Sequence, residues 1–458
     1  MNNKGLFPII AILIFGLFAL YYGASSLGVP SQASFLLVGA IVLWLVVARP
    51  LWGIIFYLLY LPFVRDSAGL GADEFMALGL LVLICVIWFI SRSKKWSHVL
   101  EISRIERSLV ILFLYLIFSI LVGQLNGVKI IDWARDLFPI MNLVLILPIV
   151  HFIDNEKEFQ LVFKMFIIVM AIPIFQWFFK SLISVGLLSY FDIHYLSGTP
   201  FAMYILMILA IASLVESRKI ILLHIVPAIA AIGTALLNRQ RTVWVGISLS
   251  MFVIFFITKH KVKWLTVVLV FILSVGVFIS YLAVKRSYVI ERQMGWVMTF
   301  SSLDEDLSWQ SRMAERKATL AIFYKHPLLG IGLGYQYYFW RPFVKGIGPG
   351  YMTTNMTHSD ETNYLAKTGL IGVGLLLFLF YNVVYLGIKF YRRTNDPECR
   401  MIYLLGTCST IIAVIVANST PILQIRYNAS ALAFVIAFIF VKKKLEHKKL
   451  ESHNNEPG

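Results

Sequence analysis

Apolar runs of roughly 15–21 residues, separated by short charged stretches, recur along the whole chain. They fall at 6–22, 33–48, 51–64, 75–90, 108–123, 136–153, 160–179, 200–215, 220–237, 242–258, 264–284, 369–388, 401–417 and 428–441. About 20 apolar residues cross the hydrocarbon of a bilayer, fewer when polar ends snorkel. Lipid offers the backbone no hydrogen-bond partner, so each run must be helical. Two runs are short, and the pattern predicts an all-α polytopic membrane protein of about 12–14 transmembrane helices. The run Leu6–Tyr22 follows Lys4 and lacks a small-residue cleavage site, which reads as a first span and not a removed signal peptide.

The pattern breaks once, between 285 and 367. That stretch is too long for a connector, and loops of this size are usually functional or disordered. Trp296, Trp309, Trp340 and the aromatic run Tyr335–Phe339 argue for order. The expected organisation is a transmembrane bundle over 1–284, a long extracytoplasmic loop with the chemistry over 285–367, C-terminal helices over 368–441, and a basic tail over 442–458, disordered from about Glu446.

Composition agrees with this reading. Of 458 residues, 59% are hydrophobic, against about 45–50% in an ordinary soluble chain. The formal charge of +16 raises the question of nucleic acid, but its placement answers it. Arg92, Lys94, Lys95, Arg104 and Arg107, then Arg218 and Lys219, Lys259, Lys261 and Lys263, Lys389, Arg392, Arg393 and Arg400, and finally Lys442–Lys449 occupy alternate inter-helix loops. Positive-inside topology explains that alternation and puts both termini in the cytoplasm. Three cysteines, none in a C-x-x-C pair, predict neither a disulfide framework nor a metal site. The acidic run Asp304–Asp306 reads as solvated loop, and no metal or other cofactor is expected.

Four segments could carry chemistry. Arg239 and Arg241 join two spans on the outer side, where short loops should be poor in arginine. Arginine keeps its charge and binds phosphate through two parallel bonds, so the pair is either a phosphate site or two arginines snorkelling to headgroups. Ser311–Lys317 opens an amphipathic helix running towards His326. Arg312 and Arg316, spaced i,i+4, could aim at one anion; alternatively Arg312 pairs with Glu315 on a solvated face. Pro327–Gly334 ends that helix, and Gly330, Gly332 and Gly334 allow backbone N–H groups to approach a ligand closely. Thr357–Leu365 begins another helix, capped by Thr357 or Ser359. His358 and Glu361 then stand at its N-terminus, as a general base or as polar caps.

Together these segments resemble the O-antigen ligase and polymerase family of bacterial polysaccharide enzymes. Arg312 precedes Pro327-Leu-Leu-Gly-Ile-Gly by fifteen residues, and His358 precedes Gly369-Leu-Ile-Gly by eleven. The likeness spans Ser311–Gly374. It departs where the family often has an aromatic four residues after the arginine (here Arg316), and an acid before the final glycine pair (here Lys367). The resemblance implies a glycosyltransferase in a bacterial cytoplasmic membrane. Its donor would be a glycan on a polyprenyl diphosphate carrier, its acceptor a glycan or glycolipid, and other polysaccharide-assembly proteins its possible partners. Arg239, Arg241, Arg312 and Arg316 would hold the diphosphate, with His358 or Glu361 the base. The resemblance leaves polymerase and ligase undivided. A flippase or transporter is the rival class, but transporters tend to show inverted repeats and broken central helices with midplane charges, and the sequence shows neither repeats nor a clear intramembrane ion pair.

Overall fold

The computed structural model describes residues 44, 46–64, 72–93, 103–184, 199–216, 221–237, 241–285, 307–342 and 349–454. The expected run at 6–22 and nearly all of that at 33–48 lie outside them. Every later run is a helix. In chain order these are α1 (Pro50–Tyr60), α2 (Ala72–Ser93), α3 (Ser103–Leu125), α4 (Ile130–Met141), α5 (Ile146–Phe152), α6 (Glu156–Ser184), α7 (Thr199–Glu216), α8 (Leu222–Leu237), α9 (Arg241–Ile257) and α10 (Lys261–Lys285). After them come α11 (Leu307–Lys325), a two-stranded hairpin of β1 (Tyr337–Arg341) and β2 (Gly350–Thr354), then α12 (Asp360–Arg393), α13 (Pro397–Val416) and α14 (Arg426–Asn454). Six of the described segments, α4 and α5 counted together as one, are long and apolar enough to cross a membrane, and four shorter apolar helices accompany them.

The run expected at 136–153 is one crossing made of two helices. Pro139 lies inside α4, and a 3₁₀ turn, Asn142–Leu145, links it to α5. Asn142 answers the break. Its amide donates to the carbonyls of Phe138 at 3.0 Å and Pro139 at 2.9 Å, and its oxygen accepts from Tyr57 of α1 and from Ser430 of α14 at 2.8 Å. Polar groups between helices act as glue where apolar packing alone does not discriminate protein from lipid.

The last helix sits at the centre. Ala429 and Ala431 through Phe438 are each fully buried, as expected of a helix apolar on every side. It does not stop at 441 as the hydropathy suggests, nor is the chain irregular from Glu446: α14 runs to Asn454. Its lysines find partners that the sequence does not advertise. Lys442 bridges Glu156 at 2.7 Å and Glu398 at 2.6 Å, and Lys444 and Lys448 reach Asp154. Lys444 also donates to the carbonyls of Val150, His151 and Ile153, the orphan acceptors at the end of α5. Lys259, Arg392 and Arg400 gather at this same end of the bundle. The end of α12 that carries His358 is the opposite one.

Candidate functional site

The site is assembled by a break in a helix. Gly369, inside α12, has φ 64° and ψ −169°, a conformation essentially closed to side-chain-bearing residues. There the ladder of α12 opens, and the loop after α11 enters the gap. Leu370 and Ile371 give their N–H groups to the carbonyls of Pro327 at 2.9 Å and Leu328 at 3.2 Å. The carbonyls of Ala366 and Lys367, which those N–H groups would serve in an unbroken helix, accept from Ile331 and Gly332, both at 2.9 Å. The exchange satisfies all four backbone groups, which a buried helix break otherwise leaves orphaned.

The glycines make this close approach possible. A Cβ on Gly369 would overlap the Leu328 carbonyl, and one on Gly330 would overlap the backbone at Lys367 and Thr368. Gly332 lies in the same way against Gly123 of α3, and Gly334 against Asp132 and Trp133 of α4. The backbone these three glycines approach so closely is the protein's own.

Asp136 of α4 locks the arrangement from beneath. Its carboxylate accepts from the Gly334 N–H at 2.7 Å, from the Asn355 amide at 2.9 Å and from the Lys367 ammonium. Lys367 is 1% exposed. The basic residue that replaces the family's usual acid is therefore neutralised by an acid from another helix.

The hairpin stands on this base. Tyr337 pairs with Thr354 and Arg341 with Gly350. Tyr337 and Phe339 face inward onto Ala314, Ala318 and Ile322 of α11, as the amphipathic reading of that helix requires. β2 leads directly into the turn that holds His358. Ser359 caps α12, its hydroxyl accepting from the Thr362 N–H at 3.3 Å. Thr357 and Gln424 exchange two bonds, 2.9 Å and 3.1 Å, and Asp360 accepts from the Leu423 N–H at 2.7 Å. The turn between α13 and α14 thus fixes the residues on both sides of His358.

His358 itself is half exposed, with 48% of its side chain open. Its Nδ1 lies 2.8 Å from Glu315 Oε2, and its backbone N–H donates to the same oxygen at 3.1 Å. Arg341 of β1 donates to Glu315 Oε1. An ionised carboxylate accepts only, so the network assigns the ring proton to Nδ1 and leaves Nε2 with its lone pair. Burial, then the charges of Arg312 and Arg341, pull the imidazole down to about 4. It is neutral at neutral pH.

The remaining expected residues divide. Arg312 sits close enough to His358 and Arg341 to act on both electrostatically. Arg316 donates to Asn418 at 3.2 Å, in the turn after α13. Glu361 is exposed and lines, with Asp360, the mouth of an apolar groove between α12 and α13 that includes Leu376, Phe380 and Val414. Arg241 is the first residue of α9, with only its backbone position described; Arg239 and Asp304–Asp306 lie outside the described residues. Sequence reasoning missed Glu315, Arg341 and Asp136. Glu315 was legible only as an i,i+3 partner of Arg312, although a carboxylate in register with Ser311 and Thr319 on the buried face of α11 is a signal that something across the interface must answer it.

No curated protein matches the chain. Residues 226–379 match the family model described as O-antigen ligase, a segment that holds Arg312, the Pro327–Gly334 loop, His358 and the Gly369 break. Over that segment the chain is similar to the O-antigen ligase family, which supports a glycosyltransferase-like role in polysaccharide assembly, and the six candidate spans make it a multi-pass membrane protein.

Proposed function

We propose that the chain is an extracytoplasmic glycosyltransferase, joining a glycan carried on a polyprenyl diphosphate to an acceptor sugar during assembly of a bacterial surface polysaccharide. The observation that carries this reading is His358: a neutral, half-exposed imidazole with a free Nε2, held on a buried carboxylate and flanked by arginines. Nε2 accepts the proton of the acceptor hydroxyl as its oxygen attacks the anomeric carbon. The bond from that carbon to the diphosphate breaks, and the carrier diphosphate leaves with the electron pair. Direct displacement inverts the anomeric centre.

Leaving-group charge is the chief electrostatic demand of this step, and guanidinium groups aimed at it lower the barrier. Arg312 acts on His358 from α11, Arg316 reaches Asn418 in the turn after α13, and Arg239 and Arg241 join them at the diphosphate in this reading. The arginines take the role that a metal has in many transfers from nucleotide sugars. Exposed Glu361 is the rival base. The basic residues gathered at the opposite end of the bundle support an outer location for His358, because cytoplasmic loops carry the excess of Lys and Arg.

The test separates the two bases in cells that depend on this protein for their polysaccharide. His358→Ala should abolish polymer while the protein still reaches the membrane, and Glu361→Gln should retain it. The opposite pattern transfers the role to Glu361, and full polymer from both variants rejects the reading.

A further inference from the structure

Three ionisable groups from three separate segments meet at one point. Glu315 comes from α11, Arg341 from β1, and His358 from the turn before α12. Glu315 has 4% of its side chain exposed. A carboxylate so withdrawn from water is stable as an anion only if charge and hydrogen bonds replace its hydration. Arg341 supplies the charge at Oε1. Oε2 takes the two N–H groups of His358, ring and backbone, at 2.8 Å and 3.1 Å. Both oxygens are thereby committed, and the ring is oriented through two points and not one.

We propose that Glu315 is the positioning residue of His358: it holds the ring proton on Nδ1 so that Nε2 is the accepting atom, while Arg341, reaching across from the hairpin, keeps Glu315 ionised and aimed. The proposal rests on the reading of His358 as base. When the acceptor hydroxyl gives its proton to Nε2, the ring becomes an imidazolium beside a carboxylate already aligned with it, and the proton passes on to water from the exposed edge. The hairpin is then part of the machinery, because Arg341 shares the inward face of β1 and reaches Glu315, while Tyr338 and Trp340 lie on the exposed face.

The groups facing the ring are few among the described residues. α11 brings Glu315 and Arg312, with Arg316 turned to Asn418. β1 brings Arg341. The turn between α13 and α14 brings Gln424, which is uncharged, and the ring's own helix adds Asp360 and Glu361.

The experiment is nitrogen NMR on the full chain, labelled with ¹⁵N-histidine and held in nanodiscs. The sequence has nine histidines, and His358 is identified by difference from His358→Gln. The wild type should show a protonated Nδ1 and a bare Nε2 at neutral pH. Glu315→Gln should move the proton to Nε2 in a large share of molecules, since one amide cannot accept from Arg341 and from both N–H groups of His358. Arg341→Met should leave the proton on Nδ1 but make the ring titrate at higher pH, by about one pH unit or more, because the carboxylate then seeks its countercharge from the imidazole. A wild-type ring protonated on Nε2, a pattern unchanged in Glu315→Gln, or an unmoved titration in Arg341→Met overturns the proposal. If the NMR results come out as expected but His358→Ala still makes polymer, the positioning stands and the base reading fails.

Discussion

The most exposed consequence of the site is the pH at which the enzyme should stop working. An ordinary imidazole titrates near 6.5, whereas burial, Arg312 and Arg341 hold that of His358 near 4. Only the neutral ring accepts a proton, so activity is retained above the folded value and lost as pH falls through it. At about pH 5.5 a ring titrating at 6.5 is roughly one-tenth neutral, while one titrating at about 4 is almost wholly neutral, a difference of about tenfold in rate. The assay is transfer of labelled glycan from its polyprenyl diphosphate to acceptor by the purified chain in nanodiscs, followed as kcat/KM from about pH 8 down to 4. The profile should be flat to about pH 5 and bend near 4. His358→Ala should lower the plateau by roughly 10²–10⁴-fold, the usual contribution of a general base, and abolish the bend. A midpoint near 6.5 in the wild type would refute the electrostatic reasoning; a bend that survives in His358→Ala would refute the assignment of the base.

Other outcomes follow from the same geometry. Arg312→Ala should weaken capture of a polyprenyl diphosphate in nanodiscs by one to two orders of magnitude, and Lys at that position should restore only part of it, since a point charge lacks the bidentate fork; the same sequence of effects at Arg241 would place α9 at the diphosphate, and unchanged binding would remove it. Lys367→Met should destabilise the chain by about 3–5 kcal/mol by stranding the buried carboxylate of Asp136, and Lys367→Met with Asp136→Leu should recover most of that in a thermal melt in detergent. Gly369→Ala should cost more than the roughly 1–3 kcal/mol of a strained backbone conformation, because its methyl would also overlap the Leu328 carbonyl; a melting temperature equal to wild type would show that the helix break does not need glycine.

The spans were legible because lipid leaves the backbone no alternative. A run of apolar residues such as Leu375–Phe380 or Ile411–Val416 must be helical wherever it lies in the bundle. His358, Arg312 and the proline–glycine loop were legible because each is a local feature with a local cause: a cap, an i,i+4 spacing, a helix stop. What α14 does after Val441 was not, since a lysine-rich stretch reads as solvated until Glu156, Glu398 and Asp154 are seen beside it.

The site's inner chemistry belongs wholly to the tertiary structure. Glu315 lies 43 residues from His358 and 26 from Arg341, and Asp136 lies 231 residues from Lys367. Nothing in the local pattern pairs them, because the energy that decides each pairing is the loss of hydration on burial, and burial is known only once the helices have packed. The three glycines of the loop make the same point. Their sequence states that backbone must come close to something. Only the packing shows that, in this chain, the close neighbour is the opened ladder of α12 and the ends of α3 and α4, which is why His358 is held in one place.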